Sequence, residues 1–382
     1  MTRALGVYVH WPYCARICPY CDFNVYKNRD IDEAAWSAAL VRDLELYAER
    51  TRGRKLGSLY FGGGTPSLAP VAVIESVIDA CARLWGLEAG AEITLEANPT
   101  DAEQSRFEAF AGAGVNRLSL GVQSLRDDAL RFLGRDHDAA SAKRAIDAAQ
   151  RAFGRVTFDL IYARPGQTLH DWRAELKEAL ALGARHLSLY QLTIEPGTAF
   201  AKAVDKGRWA PADDDLCADM FDAAQEMTQA AGLPAYEISN HAAAGEESRH
   251  NLVYWTYGDY VGVGPGAHGR LTEEAAHGRL TEHGARISTE APPNPRDYLA
   301  GAPHLENPLT QGEATVERLA MGLRLVQGVP FTEADAYFAE AGGYEKLDRL
   351  IGDGLITWDG ARLAATADGR RILNRVLYEL FA

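Results

Sequence analysis

Along the first 230 or so residues, apolar positions follow two alternating periods. Short apolar-rich runs at 5–10, 58–61, 92–96, 117–120, 156–161 and 186–191 read as strands. Between them, residues 32–52, 70–85, 101–113, 139–152, 168–182 and 213–231 read as helices; in the first, Trp36, Leu40, Leu44 and Tyr47 stand at helical spacing. A glycine closes each helix, at Gly53, Gly86, Gly114, Gly154, Gly183 and Gly232. Repeated strand–helix units with apolar strands predict a parallel sheet covered by helices. The expected fold is α/β, a partial (β/α)6 TIM-like barrel; from the pattern alone a doubly wound sheet is the alternative.

The pattern changes after residue 233. A short strand-like stretch around Tyr236-Glu-Ile-Ser-Asn240 is followed by Arg249-His250-Asn251-Leu-Val-Tyr254-Trp255 and by a glycine-rich run, Gly258 to Gly269. His268-Gly-Arg-Leu-Thr-Glu273 then recurs as His277-Gly-Arg-Leu-Thr-Glu282, which reads as a duplication lengthening a surface hairpin. Proline-rich breaks at 291–295 and 303–308 precede three helical stretches, a hairpin turning at Asp359-Gly360 and a last helix over 367–381. That order is winged-helix-like. The chain is thus expected to divide into a barrel (1–233), connecting strands and loops (234–300) and a C-terminal winged-helix-like α+β module (301–382).

Composition narrows the function. The 382 residues carry a formal net charge of −14, so the C-terminal module reads as a packing or lid element and no nucleic-acid partner is expected. The N-terminus lacks the apolar stretch of a signal peptide and no run is long enough to span a membrane, which predicts a cytoplasmic protein. Five cysteines, three of them in one loop, are not a disulfide framework; Cys81 and Cys217 read as small buried residues.

A barrel concentrates chemistry just after its strand C-termini. The candidate chemistry falls there: Cys14-x3-Cys18-x2-Cys21 after the first strand, Gly62-Gly63-Gly64-Thr65-Pro66 after the second, Glu96-Ala-Asn98-Pro99 at the third, Gly121-Val-Gln123-Ser124 at the fourth, and Asp159 in the fifth. Three thiolates suit a soft metal centre. A closed zinc site takes four ligands, whereas a 4Fe–4S cube gripped by three leaves one iron open. A zinc knob or three buried thiols is the competing reading. The glycine run has no following Lys-Ser/Thr, so it is not a P-loop; its glycines permit close backbone approach to a ligand. His250 beside Tyr254 and Trp255 suits a flat aromatic ligand or, as the plainer alternative, a histidine in an aromatic core.

The cysteine spacing resembles that of the radical S-adenosylmethionine (SAM) superfamily, in which the open iron chelates SAM and an electron from the cluster cleaves it to a 5′-deoxyadenosyl radical. Over almost the whole chain, Tyr8 with the cysteines, Tyr60-Phe-Gly-Gly-Gly-Thr65-Pro, Leu133-Gly-Arg135, Asp159-Leu-Ile-Tyr, Tyr190 to Thr198 and Tyr236-Glu-Ile-Ser-Asn240 resemble the oxygen-independent coproporphyrinogen III oxidase-like family. The resemblance implies Cys14, Cys18 and Cys21 as ligands of a 4Fe–4S cluster. It implies SAM contacts at Tyr8, Tyr20, Gly63, Gly64, Thr65, Glu96, Gln123, Arg135 and Asp159. Within the family, the oxidase branch has a further Cys where this chain has Phe23, and a longer N-terminal arm. His250-Asn251-x-x-Tyr254-Trp255 is similar to the heme-linked motif of the heme-chaperone (HemW) branch, which makes His250, Tyr254 and Trp255 candidate heme contacts.

The implied function is a cytosolic heme chaperone, with radical decarboxylation of coproporphyrinogen III as the alternative. The implied partners are heme, an acceptor protein that the sequence does not name (a respiratory one among the candidates, which would bring the chain to the membrane surface) and a flavodoxin- or ferredoxin-type reductant. A homodimer stays open, since no stretch marks a dimer face. Two departures stand out: Ala163-Arg164-Pro165 where the family usually has Gly-Leu-Pro, and Ser248 where many members have Cys.

Overall fold

The computed structural model describes residues 4–27, 30–273, 285–339 and 343–381. Six parallel strands form the arc of the barrel: β1 (Leu5–Trp11), β2 (Leu56–Gly63), β3 (Leu87–Ala97), β4 (Arg117–Gln123), β5 (Arg155–Tyr162) and β6 (His186–Gln191). Each is an expected strand; β3 starts five residues earlier than expected, and the others extend by at most four residues. β7 (Asn240–Ala242) runs antiparallel beside β6. On the other edge β8 (Tyr260–Val263) adds parallel to β1, and β9 (His268–Glu273), β10 (Ala285–Glu290) and β11 (Leu305–Leu309) continue antiparallel. Among the described residues this makes one 11-stranded sheet.

The strands alternate more strictly than near-continuous apolar runs would. Val7, Val9, Leu59, Phe61, Ile93, Leu95, Leu118, Leu120, Phe158, Leu160, Leu187 and Leu189 face outward and join the helices in one core. Their neighbours in sequence, among them Tyr8, Tyr60, Glu96, Ser119, Asp159 and Tyr190, face inward. A TIM-type barrel ordinarily fills its interior with branched apolar side chains. Here the interior is polar and aromatic, and its upper part is open.

The helices follow the sequence with two physical exceptions. The expected helix over 101–113 is two pieces, Asp101–Gln104 and Phe107–Gly112. Arg106 sits at the break and donates to the carbonyls of Ser67 and, at 2.6 Å, of Ala69, a contact from across the fold. Gly53, Gly86, Gly114, Gly183 and Gly232 do take left-handed φ values of 66° to 107°. Gly154 does not, because the extended Phe153 ends that helix and leads straight into β5.

The barrel floor is closed by the helix Arg249–Trp255. Glu92 accepts from Arg117 at 3.0 Å and Arg155 at 2.9 Å, and from the backbone N–H of His250 at 3.3 Å, which fastens this helix under the strands.

The C-terminal module has a separate core around Leu319, Leu347, Leu363 and Val376. Its helices Gln311–Gly322, Asp335–Phe338 and Gly343–Gly352 pack with a three-stranded sheet of β12 (Val329–Pro330), β13 (Ile356–Trp358) and β14 (Arg362–Ala365). The expected last helix is broken at Ile372 into Ala367–Arg371 and Leu373–Phe381. Dividing the chain at 301 would assign β11 to this module, but β11 pairs with β10 in the large sheet, so the packing puts the division near 310. Of the expected hairpin, the first HGRLTE copy is β9; the second copy, with His277 and His283, lies outside the described residues.

Candidate functional site

A cavity of about 880 Å³ opens at the C-terminal ends of the barrel strands. Cys14, Cys18, Cys21, Tyr20, Gly63, Gly64, Thr65, Glu96, Gln123, Arg135 and Asp159 all line it. The cysteine loop is fixed at its base: Cys14 N–H donates to Tyr26 O at 3.0 Å and Tyr26 N–H to Pro12 O at 2.7 Å. Asn24 pins the far side by donating to Pro265 O at 2.9 Å and Pro293 O at 2.8 Å. Among the described residues, no three His, Cys, Asp or Glu side chains converge into a ready metal cage. The three thiols share one wall, and Arg135 donates to Cys18 Sγ at 3.3 Å. Burial raises the Cys14 thiol above its ordinary pKa and pushes Cys21 up to about 11. These two are therefore thiols at neutral pH, and a metal centre would displace their protons on binding.

The glycine run is shaped by its neighbours. A Cβ on Gly63, whose φ is +103°, would lie 2.6 Å from the His10 ring; one on Gly64 would lie 2.7 Å from Tyr13 O. Gly64 N–H donates to Trp11 O at 2.7 Å and Thr65 N–H to Tyr13 O at 2.9 Å. Those donors are spent on the cysteine loop, so the turn suits a ligand that itself donates, such as an ammonium.

At the inner end stand two carboxylates. Tyr60 Oη donates to Glu96 at 2.7 Å, and Gln123 Nε2 donates to Asp159 Oδ2 at 2.7 Å. Burial raises Glu96 to about 7 and Asp159 to about 6, against the pull of Tyr60 on the first and of Arg135 on the second. Gln123 sits at φ +65°, an uncommon conformation for a side-chain-bearing residue, at the frayed end of β4. Arg135 also donates to Asn98 Oδ1 and, at 2.8 Å, to Gly121 O. Asp159 Oδ1 and Arg135 Nε are buried with no partner, which is what a wall awaiting a polar ligand would present. The fit to a cluster and SAM is therefore good: soft donors on one wall, a cation beside Cys18, and carboxylates further in.

Four of the candidates, Tyr8, His250, Tyr254 and Trp255, do not line the cavity. Tyr8 does not line the cavity; its hydroxyl bonds to His10 Nδ1 at 3.0 Å. His250 is 3% exposed and sits in the barrel floor, stacked on Tyr60 with ring centroids 4.3 Å apart and edge-on to Tyr254 at 4.7 Å. Burial pushes its pKa down to about 3, so it is neutral. Trp255 lies under the Arg324 guanidinium at 4.8 Å. In this packing His250 is enclosed by the rings of Tyr60 and Tyr254. Ser248, also buried, caps the same helix by accepting from Asn251 N–H at 3.3 Å. Sequence reasoning missed Tyr190 and Asn98 as cavity residues, although both stand at strand ends inside singled-out motifs. It also missed Arg324 and Arg370, which come from the C-terminal module.

Two family models match the chain, the radical SAM superfamily over residues 8–179 and the HemN C-terminal domain over 309–372. Heme chaperone HemW of Escherichia coli (strain K12) is 37% identical over 99% of this chain and 98% of its own. The chain belongs to the HemW family of radical SAM proteins. The chain is likewise similar to the mitochondrial radical S-adenosyl methionine domain-containing protein 1 of Bos taurus, 39% identical over 100% of this chain and 88% of its own. The solved structure of coproporphyrinogen III oxidase HemN from Escherichia coli superposes with a TM-score of 0.80 over 99% of this chain and 90% of that one; at 21% identity it confirms the fold alone. Membership of this family implies a 4Fe–4S cluster and SAM. Among the described residues no helix is long and apolar enough to cross a membrane.

Proposed function

We propose that this protein is a cytoplasmic heme chaperone: it binds heme and passes it to an acceptor protein, a respiratory hemoprotein being the class to test first. The full-length similarity to heme chaperone HemW carries the reading. Phe23, 60% exposed at the cavity where the oxidase branch has a cysteine, supports it over coproporphyrinogen III oxidase.

In this reading Cys14, Cys18 and Cys21 hold the cluster. Glu96 and the Gly63–Gly64 turn receive the ammonium of SAM, while Gln123, Asp159, Thr65 and Tyr20 wall its remainder. Arg135 balances the thiolate charge next to Cys18 and holds Asn98 and the end of β4 in register. A cluster held by these cysteines would supply one-electron reducing power toward SAM once reduced by a flavodoxin- or ferredoxin-type protein.

The test is anaerobic preparation with iron, sulfide and heme counted together, followed by heme titration read at the Soret band. Incubation with coproporphyrinogen III, SAM and reductant should leave the substrate unchanged. Formation of protoporphyrinogen IX, or zinc in place of iron and sulfide, would overturn the reading.

A further inference from the structure

The cysteine loop is covered on one side by two segments from elsewhere in the barrel. Phe200 N–H donates to Pro19 O at 2.9 Å, which seats the helix Ala199–Asp205 on the loop. Gly134, at φ +71°, brings the end of the helix Asp127–Phe132 just as close: a Cβ there would lie 2.6 Å from Pro19 Cδ. Aromatic rings fill the space between. Tyr20, which hydrogen-bonds Cys18, meets Phe200 with ring centroids 6.1 Å apart; Phe200 meets Phe132 at 4.8 Å and Trp209 at 5.1 Å. Phe132 and Trp209 are only partly buried, so this aromatic column runs from a candidate cluster thiol to the surface.

The surface it reaches carries cations. Arg131, Lys202, Lys206 and Arg208 are exposed, and none of the four makes an ion pair among the described residues. Nearby cations are paired: Arg126 and Lys143 both reach Glu178, at 2.6 and 2.5 Å. The exposed acids on the same segments are Asp136 and Asp205, with Asp127 and Asp128 at the opposite end of their helix. In a chain of net charge −14 this is a local excess of positive charge around an apolar centre. Such a face complements an acidic protein that offers an apolar contact edge. Its place beside Cys18 selects among acidic partners, because an electron carrier has to come close to the cluster and an acceptor of heme does not. A flavodoxin-type carrier, acidic and presenting the apolar edge of its flavin, is the counterpart.

We propose that the face made by Phe132, Trp209, Arg131, Lys202, Lys206 and Arg208 is where a flavodoxin-type protein docks to reduce the cluster. The inference rests on the reductant named in the proposed function and adds to it the surface. One electron leaves the carrier's anionic flavin hydroquinone, which becomes the neutral radical, and enters the cluster; no bond forms or breaks and no proton moves.

The experiment uses the full chain, its cluster reconstituted anaerobically, and a bacterial flavodoxin. Calorimetry with the oxidised flavodoxin gives Kd, and stopped-flow mixing with its hydroquinone gives the rate of cluster reduction. Lys202→Glu/Lys206→Glu and Arg131→Glu/Arg208→Glu should each raise Kd about tenfold at low salt and slow reduction in proportion below saturation, and added salt should narrow the gap to the wild type. Arg52→Glu/Lys55→Glu, an exposed pair just before β2 at the other end of the barrel, should behave as the wild type, which separates a docking face from a change in net charge. Reduction by dithionite, SAM affinity, and iron and sulfide content should match in every chain, which separates lost docking from a damaged site. If flavodoxin reduces the wild type and both reversed pairs on the face bind and react within twofold of it, or if the Arg52/Lys55 variant is equally impaired, the face is wrong while the reductant reading stands. A wild type that dithionite reduces but flavodoxin neither binds nor reduces takes the reductant reading down with the face.

Discussion

Arg164 stands where family members usually have leucine, and it is the place to test how the catalytic-end loops are held. Its guanidinium is 7% exposed and meets Glu175, 1% exposed, at 2.6 Å. It also donates to Ile161 O at 2.7 Å and to Ser124 Oγ at 3.2 Å. Glu175 in turn accepts from Ser124 Oγ at 2.5 Å and from Leu125 N–H at 2.8 Å. Ser124 follows Gln123, so this buried pair anchors the strained residue that positions Asp159. Removing one partner of a buried pair strands the other charge, at a cost of about 3–5 kcal/mol. Arg164→Leu and Glu175→Leu should each show that loss. The double variant strands no charge; it leaves Ser124, Leu125 N–H and Gln167 without the Glu175 acceptor and Ile161 O without the Arg164 donor, neutral groups for which the cost is about 1–3 kcal/mol. The singles should therefore exceed the double, with a coupling of about 3 kcal/mol or more in a double-mutant cycle of anaerobic urea unfolding. SAM affinity should fall in Glu175→Leu as Gln123 loses its anchor. Single losses that add to within about 0.5 kcal/mol in the double would mean the two groups do not interact and that the anchoring argument is wrong.

Ala163 precedes that arginine at φ +57°, where a glycine would sit without strain; Ala163→Gly should raise stability by about 1 kcal/mol in the same unfolding assay, and no gain would remove strain as the account of this turn. Glu96 folds with its pKa raised from the usual 4.5 to about 7, so the folded state holds its proton more tightly than the unfolded. Its share of stability is full below pH 4.5 and declines as pH rises to about 7, a slope that Glu96→Gln should flatten. SAM binding runs the opposite way if Glu96 meets its ammonium: calorimetric affinity should climb toward pH 7 and level off above it, and a flat profile would free Glu96 from that role. Cys18→Ser should lose the iron and sulfide, about four of each per chain, while binding heme as before; unchanged metal content would remove Cys18 from the ligand set.

The barrel was legible because its two faces obey one rule. Outward positions such as Leu118, Leu120, Phe158 and Leu160 give each strand its apolar signal, and strand ends carry the chemistry wherever the fold is a barrel. The cysteine loop, the glycine run, Glu96, Gln123 and Asp159 could thus be placed at one mouth before any contact was known. What was not legible depends on meetings between distant segments. His250 carries the same local pattern whether it faces a ligand or a tyrosine; its stacking on Tyr60 comes from the docking of Arg249–Trp255 under Glu92, a long-range contact. The break at Arg106 answers to carbonyls nearly forty residues earlier, and the left-handed Gln123 to Asp159 on the next strand, with Ser124 beside it held by Glu175. Arg324 and Arg370 give no sequence signal as cavity residues, since only the packing of the C-terminal module on the barrel brings them to it.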